Sequence, residues 1–177
     1  DSAAVPRASQ PPADAVFPDI APMLPETSLF DEGPAPPCPD RFNMAAYVLG
    51  PAAAAAEKTA LLAVDGQGRV RTRWSFAELD RAVRATAAGL RAAGLERGDR
   101  VALRIGNTAD FPILFFAAVA AGGIAAPVSS QLTPPELARL FADMAPRLVL
   151  ADAPREIARP PGATLLGPEA WREMRGD

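Results

Sequence analysis

The chain has 177 residues, of which 49% are apolar and 22% charged, and its formal net charge is −3 at pH 7. This length and apolar content suit one domain with a sizeable buried core. The slightly acidic balance gives no electrostatic basis for binding nucleic acid or an anionic membrane surface. The sequence contains no histidine, which excludes a Ser-His-Asp triad and a histidine-based zinc site.

Residues 1–41 hold half of the twenty prolines and few large apolar side chains. A segment of this composition cannot offset its ordering entropy by burial, so we predict an extended arm. The single cysteine, Cys38, lies among these prolines and is interpreted as an incidental thiol, which fits a reducing cytoplasm. No basic stretch leads into an apolar core near the N-terminus, so we expect a cytoplasmic protein without a signal peptide.

After this arm, the pattern predicts a short helix and then a hairpin. Residues 42–49 place apolar side chains at helical spacing, with Asn43 or Asp40 as the N-cap. Residues 59–64 and 70–74 read as short strands joined by a glycine-containing turn. That turn is not a dinucleotide-binding loop, because Arg71 stands where a third glycine is needed and no helix follows.

A capping box opens the most secure helix of the chain. The Ser75 hydroxyl and the Glu78 carboxylate are spaced to bond each other's backbone amides, with Trp74 and Leu79 as the hydrophobic staple. Gly94 in a left-handed conformation, followed by Leu95, predicts a Schellman end. The buried face is expected to hold Phe76, Leu79, Val83, Ala87 and Leu90.

Strands and helices then alternate. We predict strands at 101–105, 124–128 and 147–151, and helices at 109–121 and from a second capping box, Thr133 to Glu136, to about residue 144. This order is a βαβαβ unit with parallel strands and right-handed connections. The apolar run 111–132 is interrupted by Gly122, Gly123 and Pro127, so a buried helix and strand are favoured over a membrane span.

The predicted organisation has three parts. Residues 1–41 form the proline-rich arm, residues 42–152 form the α/β unit with its hairpin, and residues 153–177 form a connecting segment. Within that last segment, an edge strand at 163–166 and a short helix at 169–174 are possible.

None of the titratable side chains is nominated as a catalytic, cofactor-binding or metal-binding residue. Lys58, the only lysine, has no glycine-rich loop beside it. Glu78 and Glu136 are used by their capping boxes. Asp80 with Arg84, and Glu136 with Arg139, are spaced as ordinary pairs on a helix surface.

An ordered set of short motifs resembles the N-terminal region of adenylate-forming acyl-CoA synthetases, the AMP-binding ANL superfamily. The opening Phe42-Asn43 pattern is similar to benzoate and other aryl-CoA ligases. The motifs, in order, are Phe42-Asn43-Met44-Ala45-Ala46-Tyr47, Lys58-Thr59-Ala60, Trp74 to Leu79, Gly94-Leu95, Gly98 to Val101, Asn107, Ala121-Gly122-Gly123, Pro127, Leu132-Thr133 and Glu136-Leu137.

The resemblance implies an incomplete N-terminal part of the large domain of such an enzyme. The parent enzyme would activate a carboxylic acid with ATP and Mg²⁺, form an acyl-adenylate, and transfer the acyl group to coenzyme A. In the family, a Ser/Thr/Gly-rich loop ending in lysine, a later acidic residue and a lysine of a mobile C-terminal domain serve this chemistry. None of these motifs maps onto the sequence, so no cofactor is expected to bind this chain itself.

Three hypotheses follow. The first is an N-terminal fragment of an acyl- or aryl-CoA ligase that is inactive alone. The second is a non-catalytic interaction module with the same fold, and the third is an unrelated flavodoxin-like binding domain. In the first case, apolar residues of an exposed sheet edge or face would be covered by the remainder of the enzyme or by a partner chain.

Overall fold

A computed structural model describes residues 41–50 and 54–176. The predicted arm, except for Arg41, lies outside these residues, and so do Cys38 and the start of the alanine-rich stretch that follows Pro51.

Two sheets organise the described residues. The first is the predicted antiparallel hairpin, and the second has four parallel strands in the order β4-β3-β5-β6. The predicted α/β class with a parallel βαβαβ unit is therefore confirmed. The elements are α1 (Met44–Leu49), β1 (Thr59–Val64), β2 (Val70–Ser75), α2 (Phe76–Ala92), β3 (Arg100–Arg104), α3 (Asp110–Ala120), β4 (Ile124–Pro127), α4 (Pro134–Met144), β5 (Leu148–Ala151), a 3-10 turn (Pro154–Glu156), β6 (Thr164–Leu166) and α5 (Pro168–Arg175).

The two central strands are buried on both faces. In β3, Val101 and Leu103 belong to one apolar cluster, while Ala102 belongs to a second cluster across the sheet. Helices α2, α3 and α5 contribute to the first cluster, and α4 contributes to the second. Since side chains alternate along a strand, each strand must be covered on both sides, which gives three layers.

The predicted boundaries of α2 are confirmed in detail. The Ser75 amide donates to the Glu78 carboxylate over 2.8 Å, and the Glu78 amide donates to the Ser75 hydroxyl over 3.3 Å. At the other end, Gly94 has a φ of 93° and the Leu95 amide donates to the Leu90 carbonyl over 3.0 Å. Both bonds of the Schellman motif are thus formed, because the Gly94 amide also reaches the carbonyl of Arg91.

Helix α1 buries less than its apolar pattern predicts. It begins at Met44, with the Asn43 side chain accepting from the Ala46 amide, and only Ala45 and Leu49 are buried. Tyr47 is 73% exposed. The physical reason is length, because a helix of 6 residues makes less than two turns and contacts α3 along one narrow side only.

Arginines satisfy carbonyl groups at three helix C-termini. Arg100 of β3 donates to the carbonyls of Met144 and Ala145 over 2.7 and 2.9 Å. Ala145 is left-handed, with a φ of 45°, so these bonds support a conformation that is costly for a residue with a Cβ atom. The other two bonds run from Arg91 to the Ala121 carbonyl and from Arg147 to the Gly94 carbonyl.

The apolar run that was considered as a membrane span folds into α3 and β4. Helix α3 has 11 residues, and Pro112 lies in its first turn as predicted. Of the helices in the described ranges, none has the length and apolarity needed to cross a bilayer.

Residues 153–176, which the sequence pattern predicts as a connecting segment, contribute a strand and a helix to the core. Strand β6 pairs in parallel with β5, and α5 packs against α2. Trp171 of α5 is completely buried. A Cβ atom at Gly89 of α2 would lie 2.3 Å from Cγ of Met174, so the two helices meet where only glycine fits.

Substitution Gly89→Ala is therefore expected to lower the free energy of unfolding by about 1–2 kcal/mol, because overpacking outweighs the better helix propensity of alanine. Urea denaturation measures the change. In a Met174→Ala background the loss should be smaller, since the clashes with Cγ and Sδ are gone while Cβ of residue 174 still lies 2.7 Å from the added atom. An equal effect of Gly89→Ala in both backgrounds would contradict the contact.

Candidate functional site

The order of the four parallel strands defines a topological switch point. The connection from β3 leads to β4 on one side of the sheet, and the connection from β5 leads to β6 on the other. In open α/β sheets, ligands bind outside the carboxyl ends of the strands at such a point. The candidate site is therefore the crevice between the loops that follow β3 and β5.

A protein carboxylate bridges this crevice. Asp152, directly after β5, accepts a hydrogen bond of 2.7 Å from the amide of Gly106, which follows β3. A Cβ atom at Gly106 would lie 3.4 Å from Oδ2 of Asp152, so a side chain there would touch the carboxylate. The Gly106 amide, which could otherwise donate to an oxygen atom of a ligand, therefore already donates to Asp152.

A second carboxylate occupies the start of α3, which follows the same loop. Asp110 lies in the first turn of α3, where the helix dipole favours a negative charge. Its Oδ1 atom lies 2.5 Å from NH1 of Arg175. A phosphate would compete with both carboxylates at this end of the sheet, which weighs against nucleotide binding of the flavodoxin type.

Beside the crevice, the carboxyl ends of β5 and β6 border an open cleft of about 570 Å³. Its charged side chains have mixed signs: Asp152, Arg155, Glu156, Glu169 and Arg172. No group of three or more histidine, cysteine, aspartate or glutamate side chains suited to a metal ion occurs in the described ranges. The cleft therefore presents a mixed charge without a concentration of either sign.

The two cap glutamates are held in their ionised form. Hydrogen bonds from the Ser75 amide and hydroxyl lower the pKa of Glu78. The pKa of Glu136 is lowered by hydrogen bonds from the hydroxyl and amide of Thr133, which lie 2.7 and 2.8 Å from its carboxylate. A carboxylate with a lowered pKa is a weak general base, so these bonds serve helix initiation.

The other polar residues considered from the sequence lie apart on the surface. Arg84 donates from Nε to both carboxylate oxygens of Asp80, as its i,i+4 spacing predicts, and Lys58 is exposed. The absence of any catalytic, cofactor-binding or metal-binding residue stays a prediction. Sequence reasoning did not identify Asp152 and Asp110, although an aspartate directly after a buried strand is a visible signal once the strand order is known.

Comparison with known proteins identifies the family of the chain. The profile of a family described as "AMP-binding enzyme" matches residues 51–171. The chain belongs to the AMP-binding enzyme family. Together with similar solved structures, this match assigns it to the N-terminal region of the ANL superfamily, as the motifs predicted.

The relatives are CoA ligases that are much longer than the matched region. Long-chain-fatty-acid–CoA ligase FadD13 of Mycobacterium tuberculosis is 33% identical over 98 residues, which is 51% of this chain and 20% of the relative. The N-terminal domain of FACL13 from the same species has a TM-score of 0.66 at 25% identity, covering 77% of this chain and 36% of that one.

A benzoate CoA ligase of Burkholderia xenovorans has a TM-score of 0.63 at 26% identity, covering 77% of this chain and 28% of that one. The chain thus spans about a fifth to a third of the proteins that it matches. The part matched by the family profile includes both the hairpin and the parallel-sheet unit.

Removal of the first cap carboxylate gives a prediction with a defined pH dependence. The pKa of Glu78 in the folded chain lies below its unfolded value, so its stabilising effect is complete above the unfolded pKa and is lost as the pH falls through the folded pKa. The deficit of Glu78→Gln in free energy of unfolding should be largest at neutral pH and shrink in acid.

Urea denaturation at a series of pH values measures this deficit. The control is Ala88→Gln, an exposed substitution in the same helix that changes no titratable group. Its difference from wild type should not vary with pH. A deficit of Glu78→Gln that is constant across the series would contradict the lowered pKa.

Proposed function

We propose that this chain is the N-terminal segment of an ATP-dependent acyl- or aryl-CoA ligase. Such an enzyme joins a carboxylate to ATP, releases pyrophosphate, and transfers the acyl group of the acyl-adenylate to coenzyme A. The family match over residues 51–171 carries the proposal. The names of the relatives, which are CoA ligases for fatty acids and benzoate, give it support.

The proposed role of these residues is to build and position the parallel-sheet unit. ATP, Mg²⁺ and coenzyme A are proposed to be held by other parts of the parent enzyme. The Gly106 amide is bonded to Asp152, the start of α3 carries Asp110, and the neighbouring cleft has mixed charge. We therefore assign no step of the reaction to this chain.

The substrate of the parent enzyme is proposed to be a carboxylic acid of the fatty or the aryl class. The similarity to a fatty-acid–CoA ligase supports the first, and the Phe42-Asn43 pattern with the similarity to a benzoate CoA ligase supports the second. A cytoplasmic location remains part of the proposal, since both coenzyme A and ATP are used there.

The isolated chain is expected to be inactive in exchange of labelled pyrophosphate into ATP. The assay would use benzoate, substituted benzoates and fatty acids of several lengths, with a full-length family member as the positive control. Incorporation of label above background by the isolated chain, with any acid, would contradict the assignment of the chemistry to residues outside it.

A docking surface on the hairpin supports a larger assembly. Leu62, Val64 and Val70 are 45%, 58% and 51% exposed, and Val64 pairs across the hairpin with Val70. A two-stranded sheet is only marginally stable alone, and exposed aliphatic groups together favour association. We propose that the rest of the ligase covers this surface; an interaction module would use the same surface for another protein.

The isolated chain should therefore self-associate through the hairpin in analytical ultracentrifugation. The double variant Leu62→Asp/Val64→Asp is expected to shift it toward monomer, because charged groups replace the apolar contact. The matched control is Ile124→Asp, which changes an aliphatic residue of similar exposure, 53%, on β4. A monodisperse wild-type monomer, or equal effects of both variants, would contradict the docking surface.

A further inference from the structure

One arginine of the last helix is buried in a contact between three elements. The side chain of Arg175 is 5% exposed, whereas the arginines of the ion pairs at Asp65 and Asp80 are 62–75% exposed. A guanidinium is costly to remove from water unless its charge and donors are matched. The groups that the Arg175 side chain contacts therefore indicate which parts of the fold its burial holds together.

Those partners belong to different parts of the fold. NH1 of Arg175 lies 2.5 Å from Oδ1 of Asp110, in the first turn of α3. The guanidinium carbon lies 6.0 Å from the ring centroid of Trp74, at the end of β2. A cation near the face of tryptophan is attracted by the ring, and the attraction is stronger away from water. Arg175 thus joins α5, α3 and the hairpin.

The hairpin also meets the parallel-sheet unit through Ala60 and Trp74, which pack against the core, and β1 borders a small cavity that it shares with the start of α3. Its two strands form a sheet of their own, which is not hydrogen-bonded to the four-stranded sheet. At its base, the Phe76 amide donates to the Lys58 carbonyl and the Ala77 amide donates to the Ala56 carbonyl. Trp74 is partly buried against the core, while Val64 and Val70 beside the turn are exposed. The contacts at the base therefore determine how the hairpin is oriented relative to the parallel-sheet unit.

We propose that Arg175, Asp110 and Trp74 form a latch that fixes the hairpin relative to the parallel sheet. With the latch closed, Trp74 is held against α5 and the start of α3, and the hairpin keeps one orientation. With the latch open, the hairpin pivots about its base at residues 56–58 and 75–77. This rests on the proposed function in one respect: the latch would present the docking surface to the rest of the ligase at a fixed angle.

Arg175, Asp110 and Trp74 belong to three different elements, so closing the latch fixes those elements relative to one another. The latch is a conformational device for this reason. Asp110 lies four residues after Gly106, so the contact is close along the chain to the bridged crevice of the switch point. A change at the start of α3 would therefore be transmitted to the hairpin through Arg175. Arg175 is a positioning residue in this proposal, not a catalytic one.

Hydrogen exchange followed by mass spectrometry tests the latch in the full 177-residue chain. Arg175→Met keeps most of the apolar stem and removes the charge and the donors. Amides of β1 and β2 should exchange about tenfold faster than in wild type, while those of β3 and β5 keep their rates. The control is Arg172→Met, one turn earlier on the exposed side of α5, which should leave the hairpin unchanged.

Two further variants separate the latch from simple destabilisation. Asp110→Asn should also accelerate exchange in the hairpin, although it lies on a different helix, and Arg175→Lys should restore part of the protection because it keeps the charge. Uniform acceleration in both sheets, or acceleration confined to α5, would overturn the proposal. The exchange assay does not depend on ligase activity, so failure of the latch would leave the pyrophosphate result unaffected.

Discussion

The burial of β3 and β5 on both faces is the constraint on which the rest of the structure depends. Leu103 and Leu150 face one apolar cluster, whereas Ala102 and Val149 face the other. Neither face can be left to water, so α2, α3 and α5 cover one and α4 covers the other. Because both faces need cover, helices α3 and α4 connect their strands on opposite faces of the sheet. The resulting strand order places the switch point between β3 and β5.

Many polar groups at the ends of these elements bond to other groups of the protein, although the buried Nε atom of Arg104, at the end of β3, has no hydrogen-bond partner. Arg91, Arg100 and Arg147 donate to carbonyls at helix C-termini, and Asp152 accepts from the loop after β3. A guanidinium presents several donors in a fixed plane, which suits two carbonyls at once better than an ammonium group does. This use agrees with a sequence in which lysine occurs once.

Local signals in the sequence predicted the elements well. Ser75 with Glu78, and Gly94 with Leu95, specify the ends of α2 through bonds that span at most five residues, so sequence spacing alone identifies them. The alternation of strands and helices predicted the parallel sheet. The exposure of Tyr47 and the complete burial of Trp171 were not predictable, because each depends on where a short helix meets distant elements.

The candidate site was less predictable than the fold for the same reason. Asp152 and Gly106 are 46 positions apart, and Asp110 and Arg175 are 65 positions apart. No local pattern connects such pairs; only the strand order brings them together. The motifs that the sequence did reveal, from Trp74 to Leu79 and from Ala121 to Leu137, turn out to form caps, turns and buried helix faces. They identify the family through its structure.

The central proposal is that this segment is a structural part of an adenylate-forming enzyme and that the groups which bind the adenylate lie elsewhere. Isothermal titration of the isolated chain with a non-hydrolysable benzoyl-adenylate analogue tests it most directly. The account predicts no saturable binding at concentrations that saturate a full-length CoA ligase of the family. Binding with one site per chain would contradict it, because the described residues would then hold the reactive intermediate themselves.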